Sequence, residues 1–119
     1  MIVGLKRVYA PASPSDGLRI LVDRLWPRGL SKESARIDLW LKDIAPSTEL
    51  RKWFNHDAKR WRSFRSKYFR EIESRPDALA VLLERVRKKR VTLVYAAREE
   101  RYNDAVALKE YLSSRRKKF

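Results

Sequence analysis

Short apolar runs separated by polar and amphipathic stretches predict a chain in which strands are joined by helices. Two runs rich in β-branched residues, 2–8 and 18–23, predict two strands, and the Pro, Ser, Asp and Gly residues between them predict a loop. The run 91–97 contains no charged residue. It therefore predicts a central strand that is buried on both faces of a sheet.

Helices are predicted where a capping residue precedes apolar positions spaced three and four residues apart. Ser31, Ser47 and Asn103 are typical N-cap residues, and each precedes such a segment. Two longer helices are predicted from near Asp57 and from Pro76. Their buried stripes consist of Trp61, Phe64, Tyr68 and Ile72 in the first and Leu79, Leu82, Leu83 and Val86 in the second.

Two segments are less regular. Residues 37–41 alternate apolar and polar side chains, which predicts an extended segment, although Trp40 and Ile44 also fit one helical face. The basic end of the chain, 115–119, is predicted as a frayed tail. Together the elements predict an α/β fold over residues 1–119: a single compact domain with a small, at least partly parallel sheet covered by helices.

Charge changes the expected partners but not the fold. The 119 residues include 29 Lys and Arg against 15 Asp and Glu, a formal net charge of +14 that favours anionic partners. There is no Cys and a single His, which excludes disulfides and argues against zinc or another metal site. No stretch resembles a signal peptide or a membrane span, so a cytoplasmic protein without a membrane partner is expected.

The loop after the second predicted strand contains the clearest candidate chemistry. In parallel α/β sheets, ligands bind beyond the carboxyl ends of the strands, where loops and helix N-termini meet. Here Arg24, Arg28 and Lys32 are placed to converge on an anion, and Trp26 supplies a flat face. The alternative is a structural clamp, in which Asp23 pairs with an arginine and the tryptophan seals the edge of the core.

Two further segments are predicted to reach the same edge of the sheet. The loop 96–104 ends at the predicted helix N-terminus at Asn103, where free N–H groups favour an anion. Ser47 and Arg51 lie one helical turn apart and are candidate anion ligands, although capping alone explains Ser47. Neither loop is a P-loop or a glycine-rich dinucleotide fingerprint, so no cofactor is expected.

Catalysis is left open by the sequence. His56 is the one side chain whose ordinary pKa lies near neutrality, and it or Asp23 is the candidate general acid or base. A solvated or structural histidine is the simpler interpretation of His56, and no nucleophile-elbow motif supports a catalytic triad. The predicted partner is therefore a small anionic or phosphorylated ligand of unspecified identity.

A nucleic-acid-binding module is the alternative function. Residues 61–90 contain 10 cations and 4 anions, the densest positive segment of the chain. Arg62, Lys67 and Arg70 fall on the predicted solvent face of the helix that begins near Asp57, and the basic runs 87–90 and 115–118 extend this surface. No recognised nucleic-acid-binding motif accompanies them, so the charge alone is weakly specific.

Several longer motifs occur over nearly the whole chain: "VDRLWPRG(x)SK" at 22–32, "APS(xx)LR(x)WF(x)HD" at 45–57, and "L(x)YAA" followed by "N(x)A" at 93–105. In these motifs the chain resembles the YeaO-like family of small bacterial and archaeal proteins, whose function is unknown. The resemblance implies a compact α/β domain. Asn55 stands where the family pattern more usually has Gly, which implies a left-handed turn position that Asn tolerates.

Overall fold

The four strands and five helices of the computed structural model follow the predicted order. The structure describes residues 1–117, with side chains for residues 1–115. The strands are β1 (Val3–Arg7), β2 (Leu18–Leu21), β3 (Leu39–Trp40) and β4 (Val91–Tyr95). The helices are α1 (Lys32–Ala35), α2 (Thr48–Phe54), α3 (Trp61–Glu73), α4 (Pro76–Lys88) and α5 (Asp104–Lys117).

The sheet is wholly parallel, with the strand order β1-β4-β2-β3. Every residue of β4 is buried, as its uncharged sequence predicts, because it pairs with β1 on one side and β2 on the other. Leu93 is opposite Leu5 of β1 and Ile20 of β2. The fold class is therefore α/β, and all four strands end at the same edge of the sheet.

Helices cover both faces of this sheet unequally. Ile20 and Leu93 point into the main core, where they pack with buried residues of α2, α3, α4 and α5. Val94 points to the opposite face and packs with Val8 and with Ala35 of α1. Thus after β2 the chain continues to α1 on one face of the sheet, and after β4 it continues to α5 on the other face.

A buried ion pair holds the start of β2 in place. Arg19 is 4% exposed and its Nη1 donates to Asp16 Oδ2 at 2.8 Å, while Nε and Nη2 donate to the carbonyl oxygens of Arg36 and Ala35. Lys6 Nζ donates to the other Asp16 oxygen at 2.6 Å. Both charges thus have hydrogen-bond partners, the condition under which burial of an ion pair is tolerated.

Several element boundaries differ from the predictions. β2 ends at Leu21 and β4 at Tyr95, each two residues early, because the following residues turn into loops. The segment 37–41 contains only the two-residue strand β3, and a 3₁₀ turn at Lys42–Ile44 follows it. α5 continues to Lys117, inside the segment predicted as a frayed tail, and residues 118–119 lie outside the described part of the chain.

In residues 1–117 no helix combines the length and the apolar character needed to cross a membrane.

Acid should destabilise the protein through Asp16. Burial would raise the pKa of Asp16, but hydrogen bonds from Lys6, the Ser13 N–H and Arg19, together with the charge of Lys6, lower it to about 2. Because this pKa is 3.8 in the absence of such contacts, the contribution of Asp16 to stability is present above about pH 4 and is lost as the pH falls through about 2. Asp16→Asn should remove that pH dependence.

Urea unfolding at several pH values between about 4 and 2 measures the effect. At neutral pH Asp16→Asn should also lower the free energy of unfolding, by about 3 kcal/mol, since Arg19 loses its buried partner. Asp77→Asn, at an exposed acid in the first turn of α4, is the matched control and should keep the wild-type pH dependence. Parallel curves for Asp16→Asn and wild type would contradict the assignment.

Candidate active-site cavity

A cavity of about 350 Å³ lies at the carboxyl ends of the strands, between the loops that follow β2 and β4. These neighbouring strands send their chains to opposite faces of the sheet, and such a divergence opens a crevice that parallel α/β proteins use for ligands. The loop after β1 contributes Tyr9 to the wall, and α2 contributes Arg51 and Phe54. The cavity is therefore formed at the position where the topology predicts a binding site.

Two aspartates line the cavity and contact each other. Asp23 follows β2, and its Oδ2 accepts the backbone N–H of Ala96 at 2.8 Å, which joins the ends of β2 and β4. Asp104 is the first residue of α5, and its Oδ1 accepts the N–H of Ala105 at 2.9 Å. The carboxyl groups of Asp23 and Asp104 are close enough for the negative charge of Asp23 to act on Asp104.

The pKa of Asp104 is raised well above its ordinary value. Burial is the largest cause, followed by the negative charge of Asp23 and the hydrogen bond between the two side chains. Asp104 therefore keeps its proton at a higher pH than an ordinary aspartate. While it is protonated, Asp104 adds no negative charge to the cavity.

Three arginines line the same cavity at different depths. Arg24 is half-buried, and its guanidinium donates through Nε to the Pro46 carbonyl at 3.2 Å and through Nη2 to the Ala45 carbonyl at 3.1 Å. Arg28 and Arg51 are exposed at the rim, and neither forms a salt bridge within the part of the chain that the structure describes. The charge of Arg24 is thus fixed in place by the backbone, while the other two guanidinium groups have no carboxylate partner.

Aromatic side chains hold the loop after β2 in position. Trp26 Nε1 donates to the Leu30 carbonyl at 2.7 Å, and its ring packs edge-to-face with Trp40 at 5.4 Å between centroids. Tyr9 donates its hydroxyl proton to the Arg28 carbonyl at 2.9 Å. Trp26 thus stabilises the loop and lines the cavity. The ion pair between Asp23 and an arginine that the clamp interpretation predicts is not formed in the described part of the chain.

His56 reaches the cavity through an unusual backbone. α2 ends at Phe54, and the next two residues, Asn55 and His56, both have left-handed conformations with φ of 46° and 53°. The left-handed position implied for Asn55 is confirmed. His56 Nδ1 lies 3.4 Å from the Tyr102 carbonyl oxygen, and its ring lies 5.8 Å from that of Phe54. Adjacent left-handed residues without glycine are strained, and such strain is concentrated at functional sites.

Three candidate ligands from the sequence do not line the cavity. Ser47 donates its hydroxyl proton to Glu71 Oε2 at 2.6 Å and accepts the Leu50 N–H, so it caps α2 and faces a carboxylate. Asn103 is buried, accepts the Val106 N–H and donates to the Glu99 carbonyl, which makes it the cap of α5. Lys32 is exposed at the start of α1. Ser47 and Asn103 therefore serve as helix caps, and Lys32 lies away from the cavity.

Asp104 and Tyr9 line the cavity but were missed by the sequence reasoning. Asp104 follows the residue identified as the helix cap, where an acidic side chain is ordinarily explained by the helix dipole. Its position just beyond the loop of the central strand was the available signal, because that strand ends beside Asp23. Tyr9 carried no comparable signal, since an aromatic residue after an edge strand is common.

The basic face of α3 is a separate surface, defined here by Arg62, Lys67 and Arg70. All three side chains are exposed, and none forms a salt bridge among the residues that the structure describes. Lys67 Nζ lies 5.1 Å from the ring centroid of Trp53, which is 38% exposed. In the basic segment 115–118, no side chain beyond Arg115 is described.

Comparison with known proteins assigns the chain to a family. The family model described as the inactive DUF488-N3 subclade matches residues 2–118. Uncharacterized protein YeaO of Escherichia coli is 43% identical over 96% of this chain and 99% of its own length. Uncharacterized protein Rv3073c of Mycobacterium tuberculosis is 41% identical over 95% of each chain. No solved structure is significantly similar. The chain therefore belongs to the inactive DUF488-N3 subclade, together with the YeaO-like proteins that it resembles in its motifs.

Proposed function

We propose that the protein binds a small anionic or phosphorylated ligand in the cavity at the strand ends. The observation that carries this proposal is that three arginines line one cavity and that two of them, Arg28 and Arg51, have no carboxylate partner in the described structure. Guanidinium groups form their strongest hydrogen bonds with carboxylates and phosphates. An external anion supplies the missing partner.

The immediate surroundings support anion binding in spite of the two aspartates. Arg24 is already oriented by the carbonyl oxygens of Ala45 and Pro46, so its ordering costs nothing when a ligand binds. A proton on Asp104, whose pKa is raised, reduces the negative charge of the cavity. Three guanidinium groups then outweigh the acidic pair within the cavity.

Binding without catalysis is the form of the proposal that the relatives favour. The family description itself calls the subclade inactive. Asp23 and His56 nevertheless line the cavity, as a general acid or base would. In the proposed function both residues contact or orient the ligand, and no reaction is assigned to them.

Arg28→Gln and Arg51→Gln should each weaken binding of inorganic phosphate about tenfold, because a hydrogen bond between charged groups contributes about 1.5 to 3 kcal/mol. Isothermal titration calorimetry with sodium phosphate measures the change. Arg87→Gln removes the same charge from an exposed position of α4 that does not line the cavity, and serves as the matched control. Equal losses in all three variants would reduce the effect to net charge and would contradict the site.

The basic face of α3 supports a second candidate function, non-specific binding of nucleic acid. Its three cations lack carboxylate partners among the described side chains, and they lie on one side of a single helix. Lysine and arginine at such a surface bind phosphates with release of counterions, so binding depends steeply on salt and little on sequence.

The triple variant Arg62→Gln, Lys67→Gln, Arg70→Gln should weaken binding to a labelled oligonucleotide and lower the slope of log K against log salt by about 3. Fluorescence anisotropy across a salt series measures both quantities. The double variant Arg28→Gln, Arg51→Gln is the comparison, since it alters the cavity and leaves the basic face of α3 intact. An unchanged slope in the triple variant would exclude this surface.

A further inference from the structure

The walls of the cavity are mostly apolar, and an anion alone does not account for them. Four aromatic residues contribute to the lining: Tyr9, Trp26, Phe54 and Phe64. Leu25 also lines the cavity and is 60% exposed, so its side chain is open to a ligand. An inorganic anion is strongly hydrated and gains nothing from such walls. The ligand therefore has an apolar or aromatic part.

Part of the aromatic lining lies deeper in the cavity than the cations. Arg28 and Arg51 are exposed, as is some of the apolar lining, whereas Trp26 is half-buried and Phe54 and Phe64 are 3% and 1% exposed. A ligand that satisfies both places its anionic group at the rim and its ring inside. The volume of about 350 Å³ suits such a bipartite molecule, because pockets for small organic ligands begin at roughly 300 Å³.

The inner part of the cavity also offers hydrogen-bond acceptors. Asp23 and Asp104 are half-buried there, and only one oxygen of each is occupied by a backbone N–H, from Ala96 and Ala105 respectively. A negatively charged carboxyl pair repels a phosphate but accepts N–H groups well. An inner acceptor pair thus suits a ring that carries N–H donors.

From these three observations we propose that the cavity binds a nucleotide, with its phosphate at Arg28 and Arg51, its base among the aromatic side chains, and N–H groups of the base directed to the Asp23–Asp104 pair. This inference rests on the proposed anion-binding function and specifies its ligand. In this proposal side chains recognise the nucleotide, which agrees with the absence of a P-loop or a glycine-rich fingerprint from the sequence. A free nucleotide and a nucleotide within a single strand share this chemistry.

Titration calorimetry of the wild-type protein with a graded ligand series tests the inference without any substitution. The probes are GMP, ribose 5-phosphate, which lacks the base, and inorganic phosphate. GMP is chosen because guanine presents adjacent N–H donors. Stacking on an aromatic side chain contributes about 1 to 3 kcal/mol, so GMP should bind about tenfold or more tightly than ribose 5-phosphate.

The double variant Asp23→Asn, Asp104→Asn tests the role of the acidic pair. It keeps an acceptor for the Ala96 N–H and removes the negative charge, so GMP should bind about tenfold more weakly while ribose 5-phosphate binds at least as well as before. Asp77→Asn, at an exposed acid outside the cavity, is the matched control. Parallel losses for both ligands would overturn the assignment of the pair to base recognition.

The outcomes separate this inference from the proposed function. If GMP, ribose 5-phosphate and phosphate bind equally and Arg28→Gln weakens all three, the site binds anions and the nucleotide inference is wrong. If none of the three binds, the anion-binding function itself fails. If an unlabelled single-stranded hexanucleotide competes at a lower concentration than GMP, the site binds a nucleotide within a strand. If GMP competes at the lower concentration, the site binds a free nucleotide.

Discussion

The burial of β4 between two parallel neighbours is the constraint on which the rest of the structure depends. An uncharged strand of five buried residues is stable only inside a sheet, and parallel neighbours require that the chain crosses over between strands. All four strands then end at one edge. Because the chain leaves β2 toward α1 and leaves β4 toward α5, a crevice opens between those two ends, and the loop residues that follow them line it.

Charged residues have different partners at the two ends of the sheet. At the start of β2, Arg19 and Asp16 are buried, and each is satisfied by partners within the protein. At the opposite edge, Arg28 and Arg51 have no salt-bridge partner in the described residues, and the negative charge of Asp23 acts on Asp104. A completed ion cluster stabilises a fold, whereas incomplete charge pairs leave interactions for a ligand.

Local patterns predicted the elements well because the physics of each element is local. The uncharged run that became β4, the caps Ser31, Ser47 and Asn103, and the left-handed Asn55 all follow from the chemistry of adjacent residues. The fully parallel arrangement of the sheet was predicted only in part, since strand order depends on packing between distant segments.

The candidate site was predicted less completely for the same reason. Arg24 and Arg28 were identified from their places after a predicted strand and Arg51 from its place in a predicted helix, and the structure brings all three to one cavity. Ser47 was placed with them because it lies one turn before Arg51, but Glu71, 24 residues away, binds its hydroxyl. The contact between Asp23 and Asp104, which lie 81 positions apart in the sequence, depends on the pairing of β2 with β4 and has no local signature.

The cavity is also where this chain departs from the arrangement that stability alone favours. In the described residues, three non-glycine residues have positive φ; Arg36 is one of them, and its carbonyl accepts a hydrogen bond from Arg19. The other two, Asn55 and His56, are consecutive and direct the histidine to the cavity, where each left-handed residue costs about 1 kcal/mol or more. The neighbouring carboxyl pair of Asp23 and Asp104 is a second unfavourable feature at the same place. Local conflicts of this kind are expected at functional sites and are rare elsewhere in a well-folded chain. Both features lie at the crevice that the arginines line, which is where we propose that the ligand binds.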